Sequence, residues 1–145
     1  MMGGLHIEMA YVKAFQWLEG SGWTDSLVDA GLVGSGTADS FLKAVHVTRT
    51  RRAHEVTACA LQMLLTQSYQ GYLSDLPERE EPCSMESWCI NQADHHPTFK
   101  YWSFVLEIEL TLLLFVRSLR EGNFELYLQS LIQMAPWFFC KIMLW

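Results

Sequence analysis

Residues 98–121 read TFKYWSFVLEIELTLLLFVRSLRE, followed by Gly122, Asn123 and the run FELYLQSLIQMAP over 124–136. The first run carries a polar stripe of Lys100, Ser103, Glu107, Thr111, Ser118 and Glu121. Apart from Glu109 and two late arginines, the rest is apolar. That spacing predicts a long helix packed from several directions, and Gly122 ends it. In the second run Phe124, Tyr127, Leu128, Leu131, Ile132 and Ala135 alternate spacings of three and one, which puts them on one inward face. Pro136 is expected to break that helix.

Working outward, residues 5–19 predict a helix whose inner face is Ile7, Ala10, Tyr11, Ala14, Phe15 and Leu18. His6, Glu8, Lys13 and Gln16 lie opposite. Gly20-Ser21-Gly22 ends it, and Thr24 can cap a short helix through Ala30. The glycines of residues 31–36 form a turn, and Thr37 or Asp39 can cap another short helix through about Val45. A longer helix is expected over residues 50–73, with Ala53, Val56, Ala60, Leu61, Leu64, Leu65, Tyr69 and Tyr72 as its stripe. Pro77, Pro82 and three glutamates mark residues 76–84 as a loop, and Ser84 can cap a helix through about Ala93. Pro97 marks the next boundary. No strand pattern and no internal repeat emerges. The expected fold is all-α, an irregular bundle of six or seven helices.

The chain has 145 residues, enough for one domain. Half are hydrophobic, yet only 18% are charged, below the roughly 25% of an average domain. A surface so poor in charge fits a fragment, an oligomer or a subunit covered by a partner. The expected organisation is one helical domain over 1–139, part of a larger fold, with a divergent tail at 140–145. A formal net charge of −6 opposes binding to nucleic acid or anionic membranes, except through a local patch. The longest apolar stretch, residues 104–116, contains Glu107 and Glu109 and is shorter than the ~20 residues a membrane span needs. No membrane span is expected. Four scattered cysteines do not make a disulfide framework, so an intracellular, reduced location is the expectation.

Few side chains have the types and spacings that chemistry needs. Cys83, Cys89, His95 and His96 are zinc-ligand types lying close together. Their spacing departs from common zinc modules, so the expectation is a loop cysteine, a helix cysteine near Trp88 and two solvated histidines. Lys43, His46, Arg49, Arg51, Arg52 and His54 form the one basic cluster. Lys43, Arg49, Arg51 and Arg52 are the candidates for phosphate contact; the alternative is pairing with carboxylates, because cations at a helix start are locally unfavourable. Glu109 shares a face with Trp102, Leu106, Leu110 and Leu113, so it must find a partner from another helix. Gly34-Ser35-Gly36-Thr37 lacks the lysine and the preceding strand of a phosphate loop and reads as a turn with an N-cap. Trp137, Phe138, Phe139 and Trp145 are candidate protein-binding residues. No motif calls for a cofactor.

The segments Gly3-Gly4-Leu5-His6-Ile7-Glu8-Met9, Leu18-Glu19-Gly20-Ser21-Gly22-Trp23 and Gly36-Thr37-Ala38-Asp39-Ser40-Phe41-Leu42-Lys43-Ala44 resemble one family. So do His46-Val47-Thr48-Arg49-Thr50-Arg51, the residues from Phe115 to Phe124, and Pro136-Trp137-Phe138-Phe139. It is a family of transposon-derived animal proteins of unknown function, abundant in fishes and marine invertebrates and related to transposases with a ribonuclease-H-like core. The resemblance spans nearly the whole chain to Phe139. Members continue past Trp-Phe-Phe, whereas this chain departs at Cys140, so it looks C-terminally truncated. Related proteins carry acidic residues upstream of the Leu-His pair, some of them as Asp-x-x-His, and this chain has Gly3 at that aspartate position. The resemblance thus implies a catalytically inactive helical fragment working through protein contacts or weak DNA contacts, nuclear if the parentage holds. The partner would be another protein or the missing remainder of the parent fold. The alternative is a metal-dependent nuclease or transposase subunit lacking part of its active site. His6, Glu8 and Glu109 are its only candidate catalytic residues, and such chemistry needs two or more positioned carboxylates.

Overall fold

The computed structural model describes residues 3–18 and 20–143, without the side chains of Gln16, Trp17, Asp39, Leu42 and residues 139–143. The described residues form seven α-helices and no strand: α1 (Gly3–Ala14), α2 (Trp23–Asp29), α3 (Ser35–Leu42), α4 (Val47–Asp75), α5 (Met85–His95), α6 (Pro97–Glu121) and α7 (Phe124–Met143). A 3-10 turn, Phe15–Leu18, continues α1. The all-α bundle expected from the periodicities is the observed fold. None of these helices is long and apolar enough to cross a membrane.

The chain divides into two compact units. The first takes the residues up to Glu55 and those from Leu110 onward; the second is Val56–Glu109. In the first, the core is built from Tyr11, Val12, Phe15, Leu18, Trp23, Leu27, Phe41, Leu112, Phe115, Val116 and Met134, each at most 4% exposed. Tyr11 meets Phe15 edge-on at 5.0 Å between centroids and Phe138 at 5.9 Å. Helix α1 approaches α6 closely at Gly4, where a β-carbon would lie 2.8 Å from a Leu119 methyl.

In the second unit, Trp88 of α5 is the hub and is 7% exposed. Tyr69 and Tyr72 of α4 lie 5.5 and 6.1 Å from it, and Phe99 of α6 meets it edge-on at 5.5 Å. The loop before α5 is pinned to the same cluster, since the Tyr69 hydroxyl donates to the Cys83 carbonyl at 2.6 Å. Ser84 caps α5 as the sequence predicts, its hydroxyl accepting from the Ser87 amide at 3.2 Å.

Helix ends follow local chemistry. Gly122 is left-handed (φ 64°), and the Asn123 amide reaches back to the Ser118 carbonyl at 3.0 Å. Asn123 then caps α7, its side-chain oxygen accepting from the Leu126 amide at 3.0 Å. Helix α2 starts at Trp23, one residue before the expected Thr24 cap, because the Ser21 hydroxyl accepts from the Trp23 amide. Helix α3 starts at Ser35 behind Gly34, ahead of the expected Thr37 or Asp39. It ends at Leu42, and two residues on Ala44 is left-handed at φ 51° though not a glycine, its amide donating to the Phe41 carbonyl and that of Val45 to the Ser40 carbonyl.

Several expectations from the sequence need correction, among them the α4 stripe, of which Ala60 and Leu64 are exposed. In α1 the buried positions are Gly4, Glu8, Tyr11 and Val12, so Glu8 is inside and Ala10 is exposed. In α6 Thr111 and Ser118 are buried while Leu110 is 40% exposed. A buried hydroxyl is satisfied locally there, Ser118 donating to the Phe115 carbonyl at 2.6 Å. In α7 Pro136 lies inside the helix rather than at its end. Proline removes the bond to the carbonyl one turn earlier, at Ile132, which is 72% exposed. Water can satisfy that carbonyl, so the helix continues.

Candidate functional site

The polar chemistry of the first unit converges where α1 meets the start of α4. Arg51 grips Glu8 with both prongs: Nε donates to Oε1 at 2.9 Å and an NH2 nitrogen to Oε2 at 2.7 Å. Glu8 is 3% exposed and the Arg51 side chain 22%. These hydrogen bonds raise the Arg51 pKa further above its ordinary value, with burial opposing. Both carboxylate oxygens are therefore committed to a cation, which removes Glu8 as a free general base. The Thr50 hydroxyl, buried beside the pair, has no hydrogen-bond partner among the described residues. It shares a small cavity with Glu8, Met9, Val12, Ala44 and Val47.

The other basic residues of the cluster stay outside. Lys43, Arg49 and Arg52 are exposed, and Arg52 reaches Glu55 only at 3.5 Å. His54 is buried instead, stacked on Trp23 at 5.0 Å and edge-on to Phe15 at 5.3 Å. Arg49 and Arg52 line an open cavity of about 300 Å³ together with Leu32, Val33, Gly34, Thr37, Phe41 and Ala53.

His6 is exposed on α1. Glu109 is buried, at 1% exposure, and belongs to the second unit. The four zinc-type residues are also separate in role. Cys83 is exposed in the turn held by the two tyrosines, its sulfur 3.4 Å from the Tyr72 hydroxyl. That hydrogen bond is the largest cause of a raised Tyr72 pKa. Cys89 is half-buried and desolvation raises its thiol pKa. The His95 ring nitrogen Nδ1 lies 2.8 Å from the Asn91 carbonyl, and His96 is exposed just past α5. Among the described residues, no three His, Cys, Asp or Glu side chains gather where a metal ion could sit.

The aromatic end of α7 is placed in part. Trp137 and Phe138 are half-buried, Phe138 against Tyr11. The Phe139 side chain and Trp145 lie outside the described residues. Among the described residues, the largest exposed apolar surface of α7 is instead upstream: Phe124 is 70%, Leu128 44% and Ile132 72% exposed. The inward positions are Ser130 and Met134, with Tyr127, Leu131 and Phe138 half-buried. Residues 124, 128 and 132 follow a four-residue spacing and make a second stripe, about 110° round the helix from the buried one. The sequence reading merged the two stripes into one; the small Ser130 and the flexible Met134 were the signal that separates them, since each suits a tight interior. No protein-family model, curated protein or solved structure matches this chain.

Proposed function

We propose that this chain works by contact, as a catalytically inactive helical module that binds another protein through the outer face of α7. The observation that carries the reading is the stripe of Phe124, Leu128 and Ile132, three large apolar side chains on one helical line facing water. Helices that present such residues at i, i+4 and i+8 dock into apolar grooves of partner proteins. Exposed Glu121 and Glu125 at the start of the stripe favour a groove with a basic rim and disfavour an anionic membrane surface. The commitment of Glu8 to Arg51 supports the contact reading over the metal-dependent nuclease, which would call for free carboxylates around a metal. Parentage in a transposon-derived family, and with it a nuclear location, rests on the sequence segments alone.

A photo-crosslinking amino acid at Leu128 tests the reading in cells, with Lys13, exposed on α1 of the same unit, as the control position. A discrete protein adduct from position 128 and none from position 13 is expected, and it is lost in F124S/I132S. No adduct, equal adducts from both positions, or an adduct that survives F124S/I132S would sink the idea. An adduct with a second copy of the chain alone would replace the foreign partner with self-association.

A further inference from the structure

Three arginines, Arg49, Arg51 and Arg52, fall in the first six residues of α4, and the first turn of that helix holds no acidic residue. The helix dipole makes this arrangement unfavourable unless negative charge is close by. Glu8 supplies it for Arg51 alone. Arg52 meets Glu55 at a long 3.5 Å, and Arg49 has no ion-pair partner among the described residues. Arg49 and Arg52 both line one cavity. Its other walls are apolar, from Leu32, Val33, Phe41 and Ala53, with Thr37 as a further polar residue. Phe41 and Ala53 are buried at 3% and 4% exposure, so that wall is part of the packed core. The volume of about 300 Å³ is at the lower end for small-molecule sites. Gly34 also lines the cavity and opens α3 without a side-chain cap, leaving amide donors there for an acceptor.

We propose that this cavity binds a phosphomonoester carrying a small apolar or aromatic body. The body would lie against Phe41, Leu32 and Val33, and the phosphate oxygens would take the Arg49 and Arg52 forks. A phosphate is favoured over a carboxylate because it has three oxygens for two forked guanidinium groups and a threonine hydroxyl. The phosphate could belong to a free small molecule or to the 5′ end of a nucleic-acid strand; both present the same chemistry.

The test uses the full chain titrated with phenyl phosphate by calorimetry and by amide NMR. Saturable binding is expected, with the largest shifts at residues 34–37. R49A and R52A, both at exposed positions, should each weaken binding about ten-fold or more, with unchanged circular dichroism. An oligonucleotide with a 5′-phosphate that competes, while its 5′-hydroxyl counterpart does not, would assign the phosphate to a strand end. Failure of both to compete would assign it to a free phosphomonoester. Absence of saturable binding overturns the proposal, as does affinity unaffected by R49A and R52A. Inorganic phosphate binding as tightly as phenyl phosphate would mean an adventitious ion only. Equal binding of duplex DNA with and without a terminal phosphate would mean backbone contact rather than this site.

Discussion

Glu8 on α1 and Arg51 on α4 are joined by two parallel hydrogen bonds of 2.9 and 2.7 Å across 43 residues of sequence. The pair ties the first helix to the start of the fourth, and the carboxylate has almost no access to water. Removing only the cation leaves a buried charge without its partner. Arg51→Met is therefore expected to destabilise the chain by about 3 kcal/mol, read by urea denaturation. Glu8→Gln/Arg51→Met should recover a large part of that loss, because neither buried charge remains. If the double variant is as unstable as the single one, packing rather than charge holds this junction.

Pro136 interrupts the hydrogen-bond ladder of α7 from inside the helix. Replacing it restores a donor to the Ile132 carbonyl and removes a ring from the helical turn. Pro136→Ala should raise the thermal midpoint, with a gain of about 1–3 kcal/mol. A lower midpoint would mean that the proline ring makes contacts worth more than the missing bond.

Trp88 links three helices of the second unit through Tyr69, Tyr72 and Phe99. Trp88→Ala should cost about 3–5 kcal/mol and release amide protection within residues 56–109. Hydrogen exchange followed by mass spectrometry reads this directly. Full retention of protection on α5 would show that the aromatic cluster is dispensable there.

Cys89 is half-buried and its thiol pKa is raised by desolvation, whereas Cys59 and Cys83 are exposed. A raised folded-state pKa keeps the protonated form, which is the unreactive one. At mildly alkaline pH, iodoacetamide should therefore label Cys59 and Cys83 before Cys89. Since the unfolded thiol ionises first, this group favours the folded state below the unfolded pKa and loses that contribution as pH rises through the folded one. Equal labelling of all three by peptide mapping would contradict the burial of Cys89.

Local signals in the sequence were read correctly wherever a residue acts on its own neighbours. Gly122 stops α6, Ser84 caps α5 and Pro97 opens α6, each through backbone chemistry within a turn or so. The reading failed where the outcome depends on what lies across the core. Glu8 looks like an outward residue of α1 until Arg51, far along the chain, makes its burial tolerable. Phe124, Leu128 and Ile132 look like core because apolarity alone cannot tell an inward stripe from an outward one on a helix apolar on both sides. Pro136 looks like a terminator unless Ile132, whose carbonyl loses its donor, is known to be exposed. The cavity between α3 and α4 was legible only as its separate parts, the arginines and the glycine turn.

The joint between α6 and α7 has no slack. Gly122 and Asn123 are its only residues, and Asn123 is bonded to both helix ends, its amide donating to the Ser118 carbonyl and its own oxygens accepting from the Leu126 and Tyr127 amides. The direction in which Phe124, Leu128 and Ile132 point is thus keyed to α6 like the bit of a key to its shaft. One residue inserted between Gly122 and Asn123 would advance the α7 register by about 100°. The chain would then have to choose between burying Met134 and presenting the stripe. Length variation at this joint is the change to which any partner of α7 should be least tolerant.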